Sequence, residues 1–277
     1  MKKRIDILLV EKCLAETRAK AQALLMAGQV YINGQKIDKA GTQIDIEKQI
    51  EIKERFPYVS RGALKIEKAY QTFHLNFENK VICDIGSSTG GFVDFAIQKG
   101  ARKVYAIDVG WGQLDQKLRK DSRVVVMERT NFRNIDSWED FSKRVISGLR
   151  PEQALACPGS KNHDQNTDSG QARMTVDQVD YFLCDVSFIS LKKIIPQIKK
   201  IADYKTECVL LIKPQFEVGK KEADKTKGVI KDENLRQEVV TGIKAFASEQ
   251  GFKVKGMTES PITGAKGNKE FLIWLEK

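Results

Sequence analysis

Two lysines and two carboxylates stand where predicted strands meet their connecting loops. Asp185 closes the run "DYFLCD", Lys213 closes "ECVLLIK", and Glu270 opens "EFLIWLEK". Lys65 lies in "YVSRGALKI", on the helix that leads into the first strand of the same region. A buried lysine, or one beside a second cation, has a lowered ammonium pKa and can act as a general base toward a weakly acidic hydroxyl. The carboxylates would orient the lysines and steady a cationic reactant. Each residue taken alone also reads as a surface ion pair. Lys65 in particular reads as an ordinary helix lysine. Ser60 can cap its helix, Arg61, Lys65 and Lys68 would form one basic face, and Leu64, Ala69 and Phe73 could pack inward.

The turn "CDIGSSTGGF" joins a strand to a helix, where open α/β sheets bind ligands. A dinucleotide site wants glycine at the middle position of G-x-G-x-x-G, and Ser88 stands there; no Gly-Lys-Ser/Thr follows, so a P-loop fails as well. What remains is D-x-G-x-x-x-G-G, made of Asp84, Gly86, Gly90 and Gly91, with Ser88 and Thr89 inside it and Asp108 closing the next strand. S-adenosylmethionine suits such a turn. It has no phosphates, the backbone can pack against its amino-acid and ribose parts, and a carboxylate at Asp108 can accept both ribose hydroxyls. Phe92 and Val109, next to the glycines and next to Asp108, join this cofactor set. The competing reading is a plain glycine turn with no ligand.

These residues need a sheet to bring them together. From residue 60 onward strands alternate with helices, which predicts a mostly parallel sheet covered on both faces. Asp185 and Lys213 would then emerge at its carboxyl edge, and Glu270 would join them if the last strand runs antiparallel to the rest. Residues 1–53 form a different unit: two helices, then a hairpin through Asn33-Gly34, a type I′ turn. Asp6 and Thr17 are candidate caps, and Gly28 takes the left-handed position after the second helix. Ile44, Ile46, Ile50 and Ile52 continue an alternating pattern. Pro57 marks a linker over residues 54–59, before a large domain at 60–277. Within it, residues 150–178 are polar, net acidic and without period, a mobile insertion carrying His163.

The chain has 47 Lys and Arg against 37 Asp and Glu, a net charge of +10, which favours a polyanionic partner. Five scattered cysteines with no CxxC pair argue against a disulfide scaffold or zinc site and suit a reducing cytoplasm. No apolar run is long enough to cross a bilayer, and no signal peptide opens the chain.

The first unit, with its two helices and "AGQVYINGQKI", resembles the RNA-binding domain first known from a small-subunit ribosomal protein. Arg4, Arg18 and Lys20 on its first two helices, with Arg61 beyond the linker, are its RNA-contact candidates. The chain as a whole resembles the TlyA family, often labelled haemolysin A, whose members are ribosomal RNA cytidine 2′-O-methyltransferases with an FtsJ-like catalytic domain. The stretches that carry the resemblance are "VSRGALK", "DIGSSTGGFVD", "AIDVGWGQL", "ERTNFRN", "DVSFISL", "LIKPQFEVG" and "NKEFLIWL". It implies a Rossmann-like S-adenosylmethionine-dependent sheet with a small α+β RNA-binding domain. It puts the family's Lys-Asp-Lys-Glu tetrad on Lys65, Asp185, Lys213 and Glu270. It also puts Asn131 where FtsJ-type enzymes, commonly with Asp, touch the adenine. Ribosomal RNA and subunits are the implied partners. The insertion departs from the family pattern, and the end at Lys277, right after the last strand, hints at large-subunit RNA alone. The other readings are a ribosome-assembly factor with a vestigial fold and a membrane-active haemolysin. The tetrad speaks against the first. The second would need an apolar hairpin or strongly amphipathic segment, and none stands out.

Overall fold

The computed structural model describes residues 1–53, 56–149, 176–219, 226 and 228–277. Most of the 150–178 insertion, with Cys157 and His163, lies outside the described residues, as do Arg55 and most of the lysine-rich stretch at 219–228. The chain divides into two compact units, Met1–Pro57 and Tyr58–Lys277.

The small unit runs β1 (Lys2–Arg4), α1 (Ile5–Glu11), α2 (Arg18–Met26), β2 (Val30–Ile32), β3 (Gln35–Ile37), β4 (Gln43–Asp45) and β5 (Ile50–Ile52). Ile5, Leu9, Ala21, Leu25 and Val30 are fully buried and make its core. Thr17 caps α2 by accepting from the Lys20 amide, and Asn33 and Gly34 both take positive φ, as the hairpin turn requires. The isoleucine pattern after it is two strands: β4 pairs with β1, while β5 pairs with β2. Asp6 is not a cap. It sits inside the first turn of α1, fully buried, and accepts from Arg4, Arg18 and Gln22. Those bonds, the one from Arg4 first, hold its carboxyl far below the ordinary range.

The large unit runs α3 (Ala63–Phe73), β6 (Val81–Ile85), α4 (Gly91–Gln98), β7 (Lys103–Ile107), α5 (Gln116–Lys120), β8 (Val124–Met127), α6 (Trp138–Gly148), β9 (Tyr181–Cys184), α7 (Ile195–Ile201), β10 (Glu207–Ile212), α8 (Pro214–Glu217), α9 (Glu233–Glu249), β11 (Lys253–Glu259) and β12 (Phe271–Glu276). Seven strands make one sheet in the order β11-β12-β10-β9-β6-β7-β8. The strands from β8 across to β10 are parallel, and β12 runs antiparallel between β10 and β11. Alternate residues feed two cores. Cys83, Tyr105, Phe182 and Leu210 meet α6, α7 and α9 on one face; Ile82, Val104, Leu183 and Val209 meet α3, α4 and α5 on the other. That two-sided burial is why these strands read as nearly continuous apolar runs. Strand order reverses at β6, with β7 and β8 added on one side and β9 and β10 on the other, so loops diverge between β6 and β9 and leave a crevice at the carboxyl edge.

Two expectations for α3 are corrected. Ser60 does not cap through its side chain. Its carbonyl accepts from the Ala63 amide in a preceding turn, and the helix opens at Ala63 after Gly62. Lys65 is not on a solvated basic face either: it is 8% exposed, between the buried Ala63 and Ile66. Helix spacing puts Lys65 in line with Ala69, on the face that packs against the sheet.

Candidate active site

The four chemistry-bearing residues converge as one chain of opposite charges. Lys65 Nζ lies 2.8 Å from Glu270 Oε2 and 3.1 Å from Asp185 Oδ2. The other oxygen of Asp185, Oδ1, lies 2.6 Å from Lys213 Nζ. Lys213 also donates to Ser187 Oγ at 2.8 Å. Asp185 follows β9, Lys213 follows β10, and Glu270 precedes β12, whose antiparallel course returns its start to the carboxyl edge. Lys65, Lys213 and Glu270 are all buried, and burial leaves a charge costly unless it is paired. Burial pulls the Lys65 ammonium down, but Asp185 and Glu270 outweigh it and raise it above its ordinary value. Lys65 is thus held as a cation between its two carboxylate partners.

The glycine-rich turn stands beside this cluster. Gly86 and Gly90 have positive φ, and so does Ser88, whose amide donates to Asp108 Oδ2 at 2.8 Å. A Cβ at Gly90 would meet Leu118 Cδ1 at 2.3 Å, so this glycine packs α5 against the turn and lines neither cavity described below. Asp108 Oδ1 accepts from the Gly110 amide at 2.7 Å. Its carboxylate therefore holds the loop while retaining acceptor capacity, since two oxygens offer about four lone-pair sites. Asn131 Oδ1 accepts from the Arg133 amide at 3.1 Å, which leaves the carboxamide nitrogen as a donor.

Two neighbouring cavities open along the edge. The smaller, about 410 Å³, is walled by the tetrad with Asp84, Gly86, Ser88, Thr89, Gly91 and Phe92. The larger, about 1090 Å³, is walled by Gly86, Ser88, Asp108, Val109 and Asn131 opposite Asp185, Phe188 and Phe216. Asp84 is 1% exposed, and neither carboxylate oxygen has a hydrogen-bond partner among the described residues. Burial, then the charges of Asp185 and Asp108, push its carboxyl well above the ordinary range. A cationic ligand group in the cavity would relieve both conditions.

Sequence reasoning missed Ser187, Phe188, Gln215 and Phe216. Phe188 is 90% exposed at the mouth of both cavities, with its ring 5.1 Å from that of Phe216. All four sit within three residues of Asp185 or Lys213, in the quoted stretches "DVSFISL" and "LIKPQFEVG", so their place beside the site was available from the sequence. The RNA-contact candidates stand apart from this edge in their roles. Arg4 and Arg18 are bound to the buried Asp6, Lys20 pairs with Glu16, and Arg61 is exposed at the start of the large unit. The guanidiniums of Arg4 and Arg18 thus have a structural task in addition to any contact with a ligand.

The description "FtsJ-like methyltransferase" matches residues 58–277, and "S4 domain" matches residues 3–50. Over 275 residues the chain is 42% identical to YqxC of Bacillus subtilis, which carries a provisional rRNA methyltransferase label; the match covers 99% of this chain and 85% of that protein. It is 36% identical over 275 residues to the 16S/23S rRNA (cytidine-2'-O)-methyltransferase TlyA of Mycobacterium tuberculosis, covering 98% and 89%. A solved structure from Streptococcus thermophilus, which carries a provisional hemolysin label, aligns with a TM-score of 0.67 at 39% identity, over 100% of this chain and 88% of that one.

Proposed function

The chain belongs to the FtsJ-like methyltransferase family, and from that premise we propose that it methylates the 2′-hydroxyl of a cytidine in ribosomal RNA, with S-adenosylmethionine as donor. The observation that carries this reading is the Glu270–Lys65–Asp185–Lys213 chain of charges beside the glycine-rich turn. The turn fits the donor: Asp84 offers a buried carboxylate in need of a cation, which the ammonium of the amino-acid part supplies. Asp108 offers spare acceptors for ribose hydroxyls, and Asn131 a donor for the adenine. When bound, S-adenosylmethionine supplies an electrophilic methyl group on a sulfonium.

Lys213 is the base. Acting as the neutral amine, its Nζ takes the proton from the ribose 2′-hydroxyl as that oxygen attacks. Asp185 holds Lys213 in place through Oδ1 and pairs with the Lys65 ammonium through Oδ2. Glu270 secures Lys65 from the other side. Ser187 Oγ accepts from Lys213 and limits the directions in which the amine can point. Lys65 and Asp185 therefore position Lys213, which moves the proton.

Large-subunit RNA is the expected substrate, supported by the Campylobacter jejuni relative, 31% identical over 220 residues, whose name carries 23S rRNA alone, while the Mycobacterium tuberculosis relative is named for both 16S and 23S rRNA. The S4 domain supports RNA as the partner, and ribosomal subunits in the cytoplasm are where the substrate is found. Among the described residues no helix is long and apolar enough to cross a membrane. The test is incubation of large and small subunits with radiolabelled S-adenosylmethionine, then mapping of the label. Label on a cytidine ribose of large-subunit RNA is the expected result. Tight RNA binding without label would instead make the protein an assembly factor, and label in small-subunit RNA would widen the substrate.

A further inference from the structure

The loop after β7 displays apolar surface that folding does not use. Trp111 is 70% exposed and Val109 69% exposed. An exposed tryptophan on a slack loop would mean little, but this loop is fixed. The Gly112 amide donates to Glu128 Oε1 at 2.8 Å, the Arg129 amide to the Gly110 carbonyl at 3.0 Å, and the Thr130 amide to the Asp108 carbonyl at 2.9 Å. Arg119 pairs with the same Glu128. Arg129 takes a positive φ of 53°, a conformation that residues other than glycine seldom adopt. That conformation accompanies a guanidinium held 5.1 Å from the centre of the Trp111 ring. The result is a flat, pre-ordered indole with a cation stacked against it, facing solvent.

We propose that Trp111 and Arg129 form a stacking platform for an unpaired nucleotide of the RNA that flanks the target ribose. This rests on the reading of the protein as an RNA methyltransferase. Aromatic faces stack on any base, and a stacked arginine adds charge for the backbone phosphate. The surroundings match that charge: Arg129, Arg133 and Lys193 are all exposed, and the last two wall the larger cavity. Val109 walls the same cavity, so the platform begins where the crevice ends. Trp111 itself does not wall it, which separates the platform from the cofactor site. The sheet sets the distance: β7 and β10 are three strands apart in the order β10-β9-β6-β7, so their ends lie roughly 14 Å apart at the usual strand spacing. One RNA segment can therefore meet Trp111 while its target ribose reaches Lys213.

The full-length protein is compared with Trp111→Ala, Trp111→Phe and Arg129→Lys, using large-subunit ribosomal RNA as the probe. Trp111→Ala should raise the RNA dissociation constant about tenfold, the size of one base–aromatic stack. Trp111→Phe should keep most of the affinity. Arg129→Lys keeps the charge but loses the planar stack and should fall between them. S-adenosylmethionine affinity, melting temperature and the single-turnover rate at saturating RNA should not move, so the loss appears in KM. RNA affinity of Trp111→Ala within twofold of wild type overturns the platform. A parallel loss of S-adenosylmethionine affinity overturns it too, and makes the tryptophan a flap over the cofactor. If wild-type protein labels RNA and Trp111→Ala binds as tightly, only the platform fails. If wild-type protein neither binds nor labels RNA, the methyltransferase reading fails and the platform with it.

Discussion

Asp84 holds a buried carboxyl with no hydrogen-bond partner among the described residues, and its raised pKa makes it a measurable probe of the proposed cofactor site. Below about pH 3.9 both folded and unfolded chains are protonated there. As pH rises the unfolded chain ionises first while the folded one stays neutral, so this group lowers stability with rising pH. Asp84→Asn removes that penalty. Without cofactor, the variant should melt higher than wild type at pH 7, with the difference shrinking toward pH 4. It should also bind S-adenosylmethionine more weakly, because the counter-charge for the ammonium is gone. A lower melting temperature at pH 7 with unchanged affinity would make Asp84 a purely structural group. Lys213→Ala should behave in the opposite way: cofactor affinity largely kept, and the rate of methyl transfer down by about 10²–10⁴. A near-normal single-turnover rate would remove Lys213 as the base. Lys65 does not titrate in the working range. Its raised ammonium stabilises the fold fully below about pH 10.4, and that contribution is lost as pH rises through the folded value.

Among the elements, α3 and α4 meet the site as a pair. Gly91 opens α4 against the turn that starts α3, and a Cβ there would stand 2.4 Å from Ser60 Oγ and 2.8 Å from the Ala63 amide nitrogen. A serine side chain can rotate away, but the backbone at Ala63 cannot. Gly91→Ala should therefore push the first turn of α3 outward and carry Lys65 with it, away from Asp185 and Glu270. The expected result is a fall in both melting temperature and methylation rate, with Ser60→Ala in the same chain failing to restore either. Recovery in that double variant would show that the hydroxyl alone was the obstacle. The small unit has its own hub of this kind: Asp6 ties β1, α1 and α2 through Arg4, Arg18 and Gln22. Arg18→Ala should thus cost stability as well as any RNA contact, since it leaves a buried carboxylate short of a partner.

For the whole molecule, the charge is spread over both units. Residues 1–59 hold 11 basic and 8 acidic side chains, or +3, so residues 60–277 carry the remaining +7 of the +10 total. Neither unit is the sole electrostatic anchor. Deleting residues 1–53 should leave S-adenosylmethionine binding intact, because all of the residues walling the two cavities lie beyond residue 59. The same deletion should lose most methylation of ribosomal substrate, the outcome expected where phosphate contacts of the S4 domain set position on the RNA. RNA binding by the full chain should weaken as salt rises. Efficient methylation by the truncated protein would mean that the small unit does not target the enzyme.

Local signals determined much of this protein in advance. Apolar runs separated by turns gave the sheet, Asn33-Gly34 the hairpin and Thr17 the helix cap. Strand ends gave Asp185 and Lys213, because a parallel sheet sends the residue after each strand to one edge, and Glu270, because an antiparallel last strand starts at that same edge. The sequence could not decide which side of a helix faces inward when polar and apolar residues alternate imperfectly, so Lys65 looked solvated. Its burial depends on two carboxylates that lie 120 and 205 positions away in the chain, Asp185 and Glu270. Asp6 looked like a cap for the same reason, since its partners at residues 18 and 22 come from the next helix. The direction of a pKa shift, the loss of partners at Asp84 and the fixed stance of Trp111 were likewise settled by tertiary contacts. Charge–charge energy and desolvation depend on distance in space, and only the folded chain sets those distances.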